Sequence, residues 1–71
     1  MKKLLHVDGM MCQNCAKHVR EALEKIQGVS DVSVDLGAKT VSLTASGDVS
    51  DSVLSGAVDK AGYELKGIDT L

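Results

Sequence analysis

The chain is 71 residues long, 44% hydrophobic and formally −2 in charge at pH 7, which permits one small domain hiding roughly 60% of its unfolded surface and excludes a large enclosed active site. With no strongly basic surface and Tyr63 as the sole aromatic, nucleic acid is not expected as a partner, whether gripped by its phosphates or stacked by its bases. No apolar run approaches the ~20 residues of a membrane span, and Met1-Lys2-Lys3-Leu4-Leu5 reaches His6 and Asp8 too soon for a signal-peptide core, so the chain reads as one cytoplasmic domain over 1–71, not inserted in a membrane.

In chain order the first element is a short strand near 2–8, with Leu5 and Val7 on one face and Gly9 ending it. From Gln13 to Gln27 the apolar positions Ala16, Val19, Leu23 and Ile26 recur at helical spacing, with Gly28 as the stop. Val32, Val34 and Leu36 then alternate with Ser33 and Asp35. After a Gly37-Ala38 turn, Val41, Leu43 and Ala45 alternate with Ser42 and Thr44, so the pair predicts a hairpin with one buried face. Ser50 can cap a second helix whose stripe is Val53, Leu54, Ala57, Val58 and Ala61, before Gly62 releases the chain into a last strand carrying Leu65. The order is βαββαβ, and Gln27-Gly28-Val29 and Ala61-Gly62-Tyr63 fall at matching places in the two halves. Right-handed crossovers then interleave the halves into an α+β, ferredoxin-like sandwich: a four-stranded antiparallel sheet with two helices on one face. Lys2, Ser33, Asp35, Ser42 and Thr44 are expected on the other, wetted face.

The chemistry lies between the first strand and the first helix, in Gly9-Met10-Met11-Cys12-Gln13-Asn14-Cys15. Two cysteines at this spacing in a reducing compartment read as metal ligands or a redox pair, since a disulfide here would close a trivial loop. With Cys15 in the first helical turn and Cys12 in the loop before it, both sulfurs can face one ion. Thiolate bonds on opposite sides of it require sulfurs about 4.5 Å apart. The helix amino end offers unpaired N–H groups and partial positive charge, which favour thiolates, and Gln13, Asn14, Ala16 and Lys17 place no competing carboxylate there. Thiolate softness selects Cu(I), while a structural Zn(II) site normally has four protein ligands and no second cysteine pair exists.

The run Gly9-Met10-x-Cys12-x-x-Cys15, the helix that follows it and the later Gly62-Tyr63 resemble the heavy-metal-associated domain family over nearly the whole chain, and within it the free-standing bacterial cytosolic copper chaperones, where a tyrosine precedes the last strand. The resemblance implies a Cu(I) carrier, not an enzyme, that passes its ion by ligand exchange to a partner with the same motif, such as a copper-transporting P-type ATPase. Other soft ions, Hg(II), Ag(I) and Cd(II), and weakly Zn(II), suit the same pair. Met10 follows the family's buried methionine and is read as a core plug, with thioether ligation as the alternative. Met11 departs from the family's usual Thr or Ser, and is read as exposed surface with weak ligation as the alternative. His18, one turn after Cys15 and flanked by Lys17 and Arg20, is read as solvated with metal ligation as the alternative; His6, of opposite parity to Leu5 and Val7, is read on the open sheet face, again with ligation as the alternative. Tyr63 either covers one side of the site and donates toward a sulfur, or simply packs at the rim. Lys17, Arg20 and Lys25 can steer an acidic partner, though exposed helix charges usually serve solvation.

Rival readings use the same residues. The chain could be an excised amino-terminal domain of a copper-transporting ATPase, although its Met1-Lys2-Lys3 start favours a complete small protein. A mercury carrier would use the same thiolates. A thioredoxin-like oxidoreductase would call for a larger fold with Trp and Pro near the motif, and this chain has neither. RNA recognition on this fold would need strand aromatics. The protein is expected to be a monomer that copper can bridge into a dimer by sharing cysteines between two chains.

Overall fold

The computed structural model describes residues 1–47 and 49–71. Its elements run β1 Lys2–Asp8, α1 Gln13–Glu24, β2 Val29–Asp35, β3 Thr40–Ala45, α2 Asp51–Lys60 and β4 Glu64–Thr70. The strands form one antiparallel sheet in the order β2-β3-β1-β4. This is the interleaved βαββαβ architecture that the sequence predicts.

Alternation in β1 turns Leu5 and Val7 to the helices, where they join Val41, Leu43 and Ala45 of β3, Val19 and Leu23 of α1, and Leu54 and Val58 of α2 in one core. Val53, placed in the apolar stripe by spacing alone, lies at its edge and is 45% exposed. Lys3 has the same parity as Leu5 and is buried. Its stem follows the core edge while its ammonium pairs with Asp51 in the first turn of α2, so the charge is not stranded. Ser50 does cap α2, its hydroxyl accepting from the Val53 N–H at 3.3 Å.

Both edge strands carry an irregularity that simple alternation does not anticipate. In β2, Ser30 pairs with Thr44 and Ser33 with Ser42, so two residues oppose Leu43. Asp31 absorbs the extra residue at φ 54°, and Val29 and Val32 both pack on the core. In β4, Leu65 pairs with Val7 and Gly67 with His6, leaving Lys66 as the extra residue and bringing Leu65 and Ile68 to the same face. Helix α1 also stops at Glu24, short of Gln27. The last α-type bond runs from Lys25 N–H to the Glu21 carbonyl, and a tighter turn from Ile26 N–H to the Leu23 carbonyl swings Ile26 onto the core. The turn between β2 and β3 falls where Gly37-Ala38 predicts it. Asp35 accepts from Ala38 N–H at 3.1 Å, and Lys39 takes the left-handed position at φ 57°.

The strand directions place the amino ends of α2 and β1 at one pole. At the other pole converge the end of β1, the start of α1 and the α2–β4 turn, with Asp8 paired to Glu64. No helix among the described residues is long and apolar enough to cross a membrane.

Candidate metal centre

The β1–α1 loop begins at Gly9, whose φ of +95° lies in the region that favours glycine, and a Cβ there would stand 3.3 Å from Cδ1 of the Tyr63 ring. The bare glycine thus lets the aromatic ring of the α2–β4 turn lie against the loop. Met10 follows and is 3% exposed within the core, which anchors the loop from below. Met11 emerges at the tip, 90% exposed.

Cys12 is the N-cap of α1, with φ −149° and ψ 167°, and its Sγ accepts from the Cys15 N–H at 3.4 Å. It takes the place that Ser or Asp usually occupies. Cys15, half-buried in the first turn, directs its sulfur to within 2.9 Å of the Cys12 sulfur, and both are free cysteines. Hydrogen bonding with Cys12 is the largest influence holding the Cys15 thiol below its ordinary pKa. The nearby Tyr63 hydroxyl acts next in the same direction, burial opposes both to a lesser degree, and the backbone amides of Met11 and Cys12 add the smallest lowering effects. The direct hydrogen bonds seen at the sulfurs are those between the two thiols and from the Cys15 N–H. Tyr63 lies just beyond them, and its own hydroxyl is raised by the same Cys15 neighbour. No acidic residue occupies the first turn of α1.

Residues 4–64 match the heavy-metal-associated domain family. The chain belongs to that family. Among curated relatives, the copper chaperone CopZ of Bacillus subtilis (strain 168) is 37% identical over 65 residues, covering 90% of this chain and 94% of that protein. A mercuric reductase of Shewanella putrefaciens is 41% identical over 63 residues, 89% of this chain but 11% of the enzyme. This heavy-metal-associated domain therefore spans nearly all of one kind of relative and about a tenth of the other. Among solved structures, a CopZ metallochaperone superposes with a TM-score of 0.87 at 32% identity, covering 92% of this chain and 98% of that one.

The domain brings Cys12, Cys15 and Tyr63 together, leaves the Met11 side chain exposed at the loop tip, and separates the remaining candidates. His18 is exposed and turned toward α2, lining an open groove of about 460 Å³ with Glu21, Ala22, Lys25, Ala57 and Lys60. His6 lies on the open sheet face, its Nε2 2.8 Å from Asp69 Oδ2. Among the described residues no group of three Cys, His, Asp or Glu side chains is set to hold a metal. Two features escape sequence reasoning. One is the Gly9–Tyr63 contact, for which the glycine at a strand-to-helix turn is the only signal. The other is a shallow recess beside the site bounded by Asp8, Gly9, Asp59, Tyr63 and Glu64. Its carboxylates come from three elements, and no local pattern unites them.

Proposed function

We propose that this domain carries one Cu(I) ion on the thiolates of Cys12 and Cys15 and releases it by ligand exchange to a second Cys-x-x-Cys protein, such as a copper-transporting P-type ATPase, in the cytoplasm. The observation that carries this reading is the pair of free sulfurs 2.9 Å apart at the amino end of α1, with no third Cys, His, Asp or Glu gathered around them among the described residues. Two thiolates suit a soft, low-coordinate ion, and the net −1 complex with Cu(I) is stabilised by the helix amino end. Similarity to CopZ over nearly the full length of both chains supports the copper assignment.

Opposed thiolates need to stand roughly 4.5 Å apart, so loading requires the sulfurs to separate. Cys12 is exposed on the loop while Cys15 is held on the helix, so Cys12 is the ligand that swings out and exchanges first. An incoming thiolate forms a three-coordinate bridge, Cys12 leaves, and Cys15 holds the ion until the partner's second thiolate arrives. Equal transfer rates for Cys12→Ser and Cys15→Ser would defeat this order. The ion is carried and not transformed, so no residue is assigned a catalytic role.

The test is an anaerobic titration of the reduced protein with Cu(I) against a competing chelator, with Zn(II) and a Cys12→Ser/Cys15→Ser variant in parallel. Tight, thiolate-dependent Cu(I) binding far exceeding Zn(II) is expected. Weak or cysteine-independent binding would overturn the proposal and direct attention to the reduction potential of the pair. A second reading, a Hg(II)-carrying domain, is favoured by the mercuric reductase similarity. Competition between Cu(I) and Hg(II) at matched pH distinguishes the two.

A further inference from the structure

Met11 is the most exposed of the large hydrophobic side chains, at 90%, against 68% for Leu71, 62% for Met1 and 45% for Val53. Its neighbour Met10, of identical chemistry, is 3% exposed, so the loop directs one thioether into the core and the other out at the tip. Met11 is bonded to Cys12, whose sulfur lies 2.9 Å from that of Cys15. Its Cα is therefore one residue from the sulfur pair, and the flexible side chain on it is long enough to reach an ion held between them.

We infer that the Met11 thioether is a third, displaceable soft donor to the ion held by Cys12 and Cys15, and that it sharpens selection of monovalent soft ions over Zn(II). This rests on the metal-carrier reading above. Thioether sulfur is a soft ligand suited to Cu(I) and poorly suited to hard or borderline ions. Being neutral, it leaves a Cu(I) bis-thiolate at net −1, the charge that the helix amino end favours, where a carboxylate at the same place would raise it to −2. A weak neutral donor also occupies the open coordination position without obstructing exchange. The partner's thiolate displaces it, and no bond to Cys12 or Cys15 has to break for that first step. A single exposed apolar residue is ordinary on a protein surface; here its position beside two thiols gives it a chemical use.

The full chain, labelled with carbon-13 at the methionine methyl groups, should be titrated anaerobically with Ag(I) and then Cu(I), the Met11 signal being identified by its absence in Met11→Leu. The Met11 methyl is expected to shift in step with the thiolate-to-metal absorption, with a smaller change at buried Met10. Met11→Leu and Met11→Thr should lower Cu(I) affinity by about tenfold, the scale of a supporting ligand, while leaving Zn(II) affinity unchanged. If the absorption develops normally but the Met11 methyl stays put and both variants bind Cu(I) like wild type, the inference fails while the carrier reading stands. If the absorption never develops, the carrier reading fails and this inference with it.

Discussion

At the scale of single residues, the two cysteines are chemically unequal. Cys15 is held below its ordinary pKa by Cys12 first and Tyr63 second, so it forms its thiolate at lower pH in the folded chain than in the unfolded one. Its iodoacetamide reactivity should rise at lower pH in the native protein than in urea. Cys12→Ser should move that inflection up most and Tyr63→Phe by a smaller amount, following the order of the two influences. The linkage has a definite sign. A thiol depressed on folding adds stability that is fully present above the unfolded cysteine's pKa and is lost as pH falls through the folded value. Urea midpoints of the metal-free protein should therefore climb between the folded and the unfolded cysteine pKa and lose that rise in Cys15→Ser. Cys12→Ser is a clean partner variant because serine is itself a favoured N-cap, so a lost metal affinity there would not be confounded by a frayed helix. An unchanged reactivity profile in Cys12→Ser would show that the 2.9 Å sulfur contact does not control Cys15.

At the scale of elements, the helices and strands were legible from periodicity because one face of each meets a common core. That Cys12 and Cys15 come together was legible because a loop-to-helix spacing brings both sulfurs to one side, but their 2.9 Å separation, shorter than the roughly 4.5 Å of opposed thiolate bonds, was not. What sequence could not supply were the places where the period breaks. The extra residues at Asp31 and Lys66 bring Val29 with Val32, and Leu65 with Ile68, to the same face, and neither residue type announces a bulge. The Lys3–Asp51 pair joins residues 48 positions apart, beyond any local signal. Backbone positions with φ near +95° make a sharper test. At Gly28, φ is +94° and a Cβ would fall 2.5 Å from Ser46 Oγ and 3.0 Å from Val49 Cγ2; at Gly9 the sole neighbour within range among the described residues is Tyr63 at 3.3 Å. Either alanine incurs about 1–3 kcal/mol of backbone strain, but Gly28→Ala must also displace two side chains, so it should destabilise more in denaturant melts. In Gly9→Ala, adding Tyr63→Ala should recover the contact part of the loss and leave the strain. Simple additivity of that pair would mean that the ring does not bear on the loop.

At the scale of the whole molecule, the Cys12–Cys15 loop sits at a pole flanked by charged side chains of both signs. Asp8, Asp59 and Glu64 edge the recess on the Tyr63 side. His18, Glu21 and Ala22 of α1 line the groove against α2, while Lys17 and Arg20 lie outside it and are exposed, Arg20 Nε standing 4.0 Å from Glu24 Oε1. A two-fold axis passing between two motif loops can set the carboxylate-edged recess of one chain against Lys17 and Arg20 of the other. Copper shared between thiolates of two chains would hold the loops face to face, and the flanking charges would select this arrangement over its like-against-like alternative. Sedimentation of the reduced protein should therefore report a monomer without metal and a dimer fraction on adding Cu(I), and that fraction should fall as salt screens the flanking charges over a Debye length of about 8–10 Å. Reversing the charge of Lys17 and Arg20 together should weaken the dimer while sparing Cu(I) binding by the single chain, and a compensating reversal at Asp8 and Asp59 should restore it. Identical sedimentation with and without Cu(I) would exclude the bridged dimer. A copper-dependent dimer indifferent to salt and to both charge reversals would show that the shared thiolates alone set the geometry.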